Sequence, residues 1–238
     1  MSDDLYFRQL LAGRDFAVGD AVALSMRNFT YAIGDRRTGD AVLVDPAYRP
    51  IELVEMLEAD GMRLVGAIAT HYHPDHIGGT LIGQQHIAGV VELREKTGAP
   101  VHAHVDEVPW IMERTGIEES ALVGHSDRDQ LLVGDVEITF LHTPGHTPGS
   151  QCLLVDGHLL SGDTLFIDGC GRTDFPGGDT RELFVTLSER LAKVSDDAVL
   201  YPGHLYSAEG SLPMGDVRER NPVLSVTSLD QWLAMFGS

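Results

Sequence analysis

The stretch THYHPDH, residues 70–76, places three histidines and one aspartate within seven residues, directly after the apolar run LVGAIA. Imidazole and carboxylate groups are ligand types that suit Zn and Fe in proteins. Gathering four such polar groups in one tight loop costs desolvation free energy unless something binds them. The motif therefore predicts a metal site that includes His71, His73, Asp75 and His76.

Three more candidate ligands stand beside glycine or proline at the ends of predicted strands. They are His146 in TPGHTPGS, Asp163 in SGDTLF and His204 in YPGH. A sharp turn at the end of a strand exposes the side chain that it carries. Together with the first four groups, these residues predict a site for two metal ions about 3.5–4 Å apart, bridged by a carboxylate.

The remaining histidines show no comparable pattern. A lone histidine in a strand is more often a hydrogen-bonded or exposed residue than a metal ligand. We therefore place six histidines outside the predicted site: His86, His102, His104, His125, His142 and His158.

The first half of the chain alternates between strand and helix patterns. In chain order it predicts a strand hairpin, a helix, a buried strand, a second helix and a short strand, over residues 21–45, 50–61, 64–69, 85–98 and 100–104. Asp106 is the predicted cap of the helix that follows.

The second half again begins with strands and follows them with a helix. It predicts four strands, a helix and a last strand, over residues 130–135, 136–143, 150–157, 158–163, 180–194 and 198–203. Asp179 and Glu182 indicate a capping box at the start of that helix. The tail after His204 shows little periodicity. Two strand-rich halves with helices outside predict an αββα sandwich of two mixed sheets packed face to face, formed by residues 1–238 as a single domain.

Composition and charge indicate which classes of binding partner to expect. The net charge of -19 disfavours binding to a nucleic-acid backbone. No apolar run approaches the roughly 20 residues that span a bilayer, and the N-terminal residues show no secretory leader pattern. Two cysteines imply no disulfide framework. We expect a cytoplasmic protein that acts on a small molecule, without nucleic-acid or membrane partners.

In combination, the motifs THYHPDH, TPGHTPGS, SGDTLF, GCGRTDF and YPGH resemble those of the metallo-β-lactamase superfamily over nearly the whole chain. The chain looks most similar to the glyoxalase-II-like and persulfide-dioxygenase-like branch, which shares GCGR after the aspartate. The resemblance implies an αββα fold with the metal site at one edge. It also implies two ligand sets and one bridging residue: His71, His73 and His146; Asp75, His76 and His204; and Asp163.

This resemblance favours a hydrolase with two Zn²⁺ per chain. Hydroxide generated between the ions would cleave a thioester, ester or lactone, with Asp75 orienting the nucleophile. The alternative is a persulfide dioxygenase with one Fe²⁺ held by His71, His146 and Asp163, acting on glutathione persulfide. The ligand residues by themselves do not separate these two activities.

Two residues are weaker candidates for substrate contacts. Tyr206 follows closely after His204, and Arg172 lies in the GCGRTDF motif. An Arg–Asp pair two residues apart is more often structural, so for Arg172 and Asp174 we favour a structural pair. A homodimer is compatible with the branch, although no patch of the sequence indicates one.

Overall fold

The computed structural model describes residues 4–81 and 85–237, and these form two six-stranded sheets and one two-stranded sheet. The strands, in chain order, are β1 (Leu5–Leu11), β2 (Phe29–Asp35), β3 (Asp40–Val44), β4 (Arg63–Ile68), β5 (Gly79–Thr80), β6 (His86–Ile87), β7 (Val101–His104), β8 (Leu122–His125), β9 (Gln130–Val133), β10 (Val136–His142), β11 (Gln151–Val155), β12 (His158–Gly162), β13 (Val199–Pro202) and β14 (Leu212–Pro213).

The helices lie between these strands and after them. They are α1 (Ala21–Met26), α2 (Pro50–Ala59), α3 (Pro74–Ile77), α4 (Val90–Thr97), α5 (Val108–Thr115), α6 (Thr180–Val185), α7 (Met214–Arg220) and α8 (Leu229–Phe236). A π-helical turn over Thr186–Arg190 and a 3-10 turn over Leu191–Lys193 continue α6, and further 3-10 turns span Glu119–Ala121 and Pro222–Ser225.

Both large sheets are mixed. The first has the order β1-β2-β3-β4-β7-β8, with antiparallel pairing from β1 to β3 and parallel pairing from β3 to β8. The second has the order β14-β13-β12-β11-β10-β9, in which β12 and β13 pair in parallel and the other neighbours antiparallel. Parallel strands need long crossover connections, which in the first sheet contain α2 and α4.

Three apolar layers hold the molecule together. Strand residues such as Leu43 pack with Leu53 of α2 and Leu93 of α4 on the outer face of the first sheet. On the outer face of the second sheet, Leu183, Val217 and Trp232 of α6, α7 and α8 pack in one cluster with strand residues.

The middle layer lies between the sheets. Val42 and Val44 of β3 pack here with Ile138 and Phe140 of β10, whereas Leu43 faces the helices. Side chains alternate between the two faces of a strand, so one strand supplies both layers. The predicted αββα sandwich of two mixed sheets is confirmed.

The start of the predicted hairpin was wrong. Residues 21–26 form the helix α1 instead of a strand, and the strand begins only at Phe29. The carboxylate of Asp20 accepts hydrogen bonds from the backbone N–H groups of Val22 and Ala23, and Arg27 ends the helix in the left-handed conformation with φ 59°. The cap at Asp20 was the missed local signal.

Two helix boundaries also differ from prediction. The helix predicted over residues 85–98 begins at Val90, because His86 and Ile87 pair with β5 as a strand. The next helix begins at Val108 without a side-chain cap, so Asp106 does not cap it.

The tail is more regular than its sequence indicates. After His204 it forms β14, α7 and α8, and buried Trp232 of α8 donates a hydrogen bond from Nε1 to the carbonyl of Thr180. Asp179 caps α6 as predicted, by accepting from Arg181 and Glu182 N–H. Its own N–H bonds to Gly145, one residue before His146, so the reciprocal bond of a capping box is not made.

Candidate metal centre

Three histidines from two loops converge at the edge of the sandwich. His71 and His73 follow β4, and His146 lies between β10 and β11. His73 Nδ1 lies 3.0 Å from His71 Nε2 and 3.0 Å from His146 Nε2. We call these three residues the first triad.

A second triad lies beside it. Asp75 and His76 belong to α3, and His204 follows β13. His76 Nε2 is 3.2 Å from His204 Nε2, and Asp75 Oδ2 is 3.5 Å and 3.4 Å from these two nitrogens.

Asp163 lies between the triads, directly after β12. Its Oδ2 is 3.7 Å from His146 Nε2 and 3.3 Å from His204 Nε2, and its Oδ1 is 3.4 Å from His76 Nε2. A Cβ atom at Gly203 would approach Asp163 Oδ1 to 2.4 Å, so the close approach of these strand ends requires glycine there. The structure thus brings all seven predicted ligands together, with Asp163 between the two triads.

In three of the histidines, the ring nitrogen that faces away from the centre is held by an acceptor. His76 Nδ1 donates to Asp45 at 2.9 Å, His146 Nδ1 to the Arg172 carbonyl at 2.5 Å, and His204 Nδ1 to the Met26 carbonyl at 2.8 Å. These bonds place a proton on Nδ1, so that Nε2 is the nitrogen that each ring directs toward the centre.

His71 is oriented through a chain of hydrogen bonds. Thr70 Oγ1 donates to Asp45 at 2.6 Å, so it accepts from His71 Nδ1 at 3.0 Å. His71 Nε2 therefore also presents a lone pair to the centre.

These donor atoms fit a bound cation. Lone pairs of several imidazole nitrogens face one another at about 3 Å, and one ring proton cannot satisfy all of them. His73 Nε2 and Asp163 Oδ1 are buried without a hydrogen-bond partner among the described residues. A metal ion would remove the repulsion between these lone pairs and would give Asp163 Oδ1 a partner.

The charges of the centre also favour a bound cation. Burial, reinforced by neighbouring His76, holds the pKa of His71 well below its usual value, so this ring is neutral. Burial opposes a charge on His76 too, but Asp163 and Asp75 raise its pKa well above the usual value. The carboxylates of Asp75 and Asp163 therefore favour positive charge beside them, which either protons or metal ions can supply.

A cleft of about 760 Å³ opens over the centre. The ring of Tyr206 stacks on His204 with centroids 4.6 Å apart and is half exposed. Arg172 also lines the cleft, but its guanidinium forms two hydrogen bonds to Asp174 and lies over Phe175. Both candidates for substrate contacts thus lie at the cleft, and Arg172 forms the structural pair with Asp174 that the sequence favours.

The other histidines lie apart from these ligands. Four of them form a second group, which we call the rim cluster: His102, His104, His125 and His142. His102 Nδ1 is 2.9 Å from His125 Nε2, and His104 stacks on His142 with centroids 3.8 Å apart. His86 is exposed and pairs with Glu92, whereas His158 is buried beside aromatic rings.

Three residues outside the predicted ligand set support the centre. Asp45 directly follows β3, as Asp163 follows β12, so that pattern could have found it. Asn28 donates to Asp75 Oδ2 at 3.0 Å and itself accepts from Tyr48. Glu107 is fully buried and bonds to both loops of the first triad; we found no sequence signal for it.

A comparison with known protein families shows the superfamily to which the chain belongs. The family model described as the metallo-β-lactamase superfamily matches residues 27–81 and 86–204. The chain belongs to this superfamily. It is therefore an enzyme of a metal-binding family, and the matched range includes all seven residues of the two triads and Asp163.

Individual relatives carry two kinds of activity in their names. The chain is 30% identical over 217 residues to human mitochondrial persulfide dioxygenase ETHE1, covering 88% of this chain and 76% of that protein. It is 36% identical over 184 residues to hydroxyacylglutathione hydrolase of Polaromonas sp. strain JS666, covering 76% of this chain and 63% of the hydrolase.

Among solved structures, the crystal structure of ETHE1 from Myxococcus xanthus superposes with a TM-score of 0.79 at 28% identity. The match covers 98% of this chain and 90% of that one. Within the described residues, no helix has the length and apolar character needed to cross a membrane.

Proposed function

We propose that the chain is a metal-dependent hydrolase that cleaves a thioester, ester or lactone. The observation that supports this proposal is geometric: both triads converge and Asp163 lies between them, with Oδ2 3.7 Å from His146 Nε2 and Oδ1 3.4 Å from His76 Nε2. A site for one ion needs only part of this set, whereas seven converging ligands suit two ions that share a carboxylate. Zn²⁺ is the expected ion, because imidazole and carboxylate are common zinc ligands.

In this proposal the residues of the first triad would hold one ion, those of the second triad would hold another, and Asp163 would be a ligand to both. Such ions would supply water of lowered pKa, about 7, and Lewis-acid polarisation of an acyl carbonyl. Asn28, fixed by a hydrogen bond of 2.7 Å from Tyr48, holds Asp75 facing His76 and His204. Asp75 would orient the attacking water from there. Tyr206 and Phe166 line the cleft beside His204 and would shield the acyl group from bulk solvent.

The test is metal content followed by a substrate panel. Protein purified without chelators or added metal is expected to contain about two zinc ions per chain by elemental analysis. It should then hydrolyse at least one member of a panel of acyl thioesters, esters and lactones. The variant Asp163→Asn serves as the inactive control. A fully zinc-loaded protein that cleaves no acyl substrate would refute the proposal.

The second candidate is an iron persulfide dioxygenase. The likeness to human persulfide dioxygenase over 88% of this chain supports it. In this case His71, His146 and Asp163 would hold one Fe²⁺ and leave positions open for dioxygen and a persulfide. About one iron per chain, with oxygen uptake on addition of glutathione persulfide, would favour this candidate over the hydrolase.

A further inference from the structure

Glu107 is a fully buried carboxylate that belongs to neither triad. It lies directly before α5, where its backbone carbonyl accepts from Ile111 at 2.9 Å and its N–H donates to the His104 carbonyl at 2.9 Å. Its main chain is therefore anchored to β7 and α5 of the first sheet layer. Burying a carboxylate costs free energy unless hydrogen bonds stabilise it, so Glu107 needs hydrogen-bond donors around its side chain.

Three donors surround the side chain of Glu107. Oε1 accepts from Tyr72 N–H at 2.7 Å and from Thr147 Oγ1 at 2.7 Å, and Oε2 accepts from Gly149 N–H at 2.7 Å. Tyr72 lies between His71 and His73, and Thr147 follows His146. One carboxylate thus bonds to both loops that supply the first triad.

The fit around this carboxylate is close. A Cβ atom at Gly149 would lie 2.5 Å from Glu107 N and 2.7 Å from Oε2, so the loop approaches as far as a glycine allows. Tyr72 is held again by stacking on Trp110 of α5, with ring centroids 5.2 Å apart. The loops and α5 therefore form one packed unit centred on Glu107.

The first triad needs such a connection because its ligands come from different sheets. His71 and His73 extend from β4 of the first sheet, whereas His146 extends from the β10–β11 connection of the second. Another link, from Gln151 N–H to the Thr70 carbonyl at 3.0 Å, ends before His71 and does not include His73 or His146.

The second triad is held by other groups. His76 bonds to Asp45, His204 to the Met26 carbonyl, and Asp75 to Asn28. Within residues 4–81 and 85–237, no hydrogen bond or ion pair joins Glu107 to the residues of the second triad, so a change at Glu107 should act on the first triad.

We propose that Glu107 is the positioning residue that sets His146 against His71 and His73, and so determines the metal affinity of the first triad. The inference rests on the ligand sets of the proposed function but not on the reaction catalysed. Loss of a residue that orients ligands typically weakens metal binding about 10–100-fold.

The test uses Co²⁺ titration followed by visible absorption, in two backgrounds that each retain one triad. In His204→Ala, which leaves the first triad intact, Glu107→Gln should weaken Co²⁺ binding about 10–100-fold. In His146→Ala, which leaves the second triad intact, the same substitution should change binding less than about 3-fold. Glu92→Gln is the matched control in both backgrounds, because Glu92 also accepts from a backbone N–H but lies on α4.

Equal weakening in both backgrounds, or weakening in neither, would overturn the inference. Thr147→Val removes one donor to Glu107 and should show the same selectivity with a smaller effect, which keeps the test decisive if Glu107→Gln fails to fold. Selective weakening in a protein that hydrolyses no acyl substrate would support the inference and count against the hydrolase. Failure of the unsubstituted chain to bind Co²⁺ would overturn both.

Discussion

The metal centre and the rim cluster are both groups of neighbouring histidines, yet their nitrogens are arranged differently. In the metal centre, His73 Nδ1 has two other imidazole nitrogens at 3.0 Å. In the rim cluster, His102 and His125 form one N–H···N contact between two rings, which neutral imidazoles satisfy by themselves.

The stacked pair of the rim cluster shows the difference most clearly. His104 and His142 lie parallel, with an interplanar angle of 8°. An imidazole lone pair lies in the plane of its ring, so the lone pairs of parallel rings do not meet at one point. Asp106 lies near both rings, but its side chain is 59% exposed. Convergence of lone pairs, together with largely buried carboxylates, therefore distinguishes a metal site from a group of histidines.

The largest expected effect comes from removing the bridging ligand. Asp163→Asn should reduce metal affinity by more than about 100-fold, since loss of an orienting partner alone costs about 10–100-fold. His142→Ala in the rim cluster should leave metal content unchanged. Elemental analysis after dialysis against a weak chelator measures both. Equal metal loss in the two variants would contradict the comparison.

A smaller effect is expected at the residue that orients His76. Asp45→Asn leaves the seven ligands in place but weakens the acceptor for His76 Nδ1, so metal affinity should fall about 10–100-fold. The matched control is Asp106→Asn, because Asp106 lies beside His104 in the rim cluster. Competition with a fluorescent zinc chelator gives the two affinities. An unchanged affinity in Asp45→Asn would mean that ring orientation does not limit binding.

Metal binding should also stabilise the fold. An ion that binds only the folded state, at a free concentration of 100 times its Kd, contributes about 2.7 kcal/mol to the free energy of unfolding. The midpoint of thermal unfolding of metal-free protein should therefore rise on addition of Zn²⁺. The rise should be smaller in His146→Ala and unchanged in His142→Ala. A full shift in His146→Ala would place the stabilising ion elsewhere.

The smallest effect is expected from titration of the rim cluster. Burial, and then His142, lower the pKa of His104 to about 4, although Asp106 and Asp127 oppose the shift. The unfolded chain takes up the proton near the ordinary value, about 6.5. The stability that neutral His104 contributes is thus present above pH 6.5 and is lost as the pH falls toward 4.

His104→Asn should therefore reduce the loss of stability between pH 7 and pH 5, by on the order of 1 kcal/mol. Urea unfolding of the metal-free protein at the two pH values measures this difference. Both proteins retain the histidines of the metal centre, so their contribution cancels. An identical pH dependence in both proteins would show that His104 does not titrate as its burial requires.

Sequence patterns were sufficient for the architecture and for the choice of candidate ligands. Short apolar runs ending in Asp or His marked β4 and β12, because buried strands and polar strand ends have distinct local compositions. Sequence patterns did not predict the helix α1, because the cap at Asp20 was overlooked. They also did not predict α8, where tertiary packing stabilises a helix with a weak sequence pattern.

The sequence by itself determined which side chains can bind a metal, since ligand chemistry and close spacing are properties of the local chain. Only the tertiary structure decided how the rings of these candidates are oriented and which of their nitrogens meet, as His73 Nδ1 meets Nε2 of His71 and of His146. Ring direction depends on partners far along the chain, such as the Arg172 carbonyl for His146. The role of Glu107 could not be predicted from the sequence for the same reason. Its partners Tyr72 and Thr147 lie 35 and 40 residues away and contact it only where the two sheets pack together.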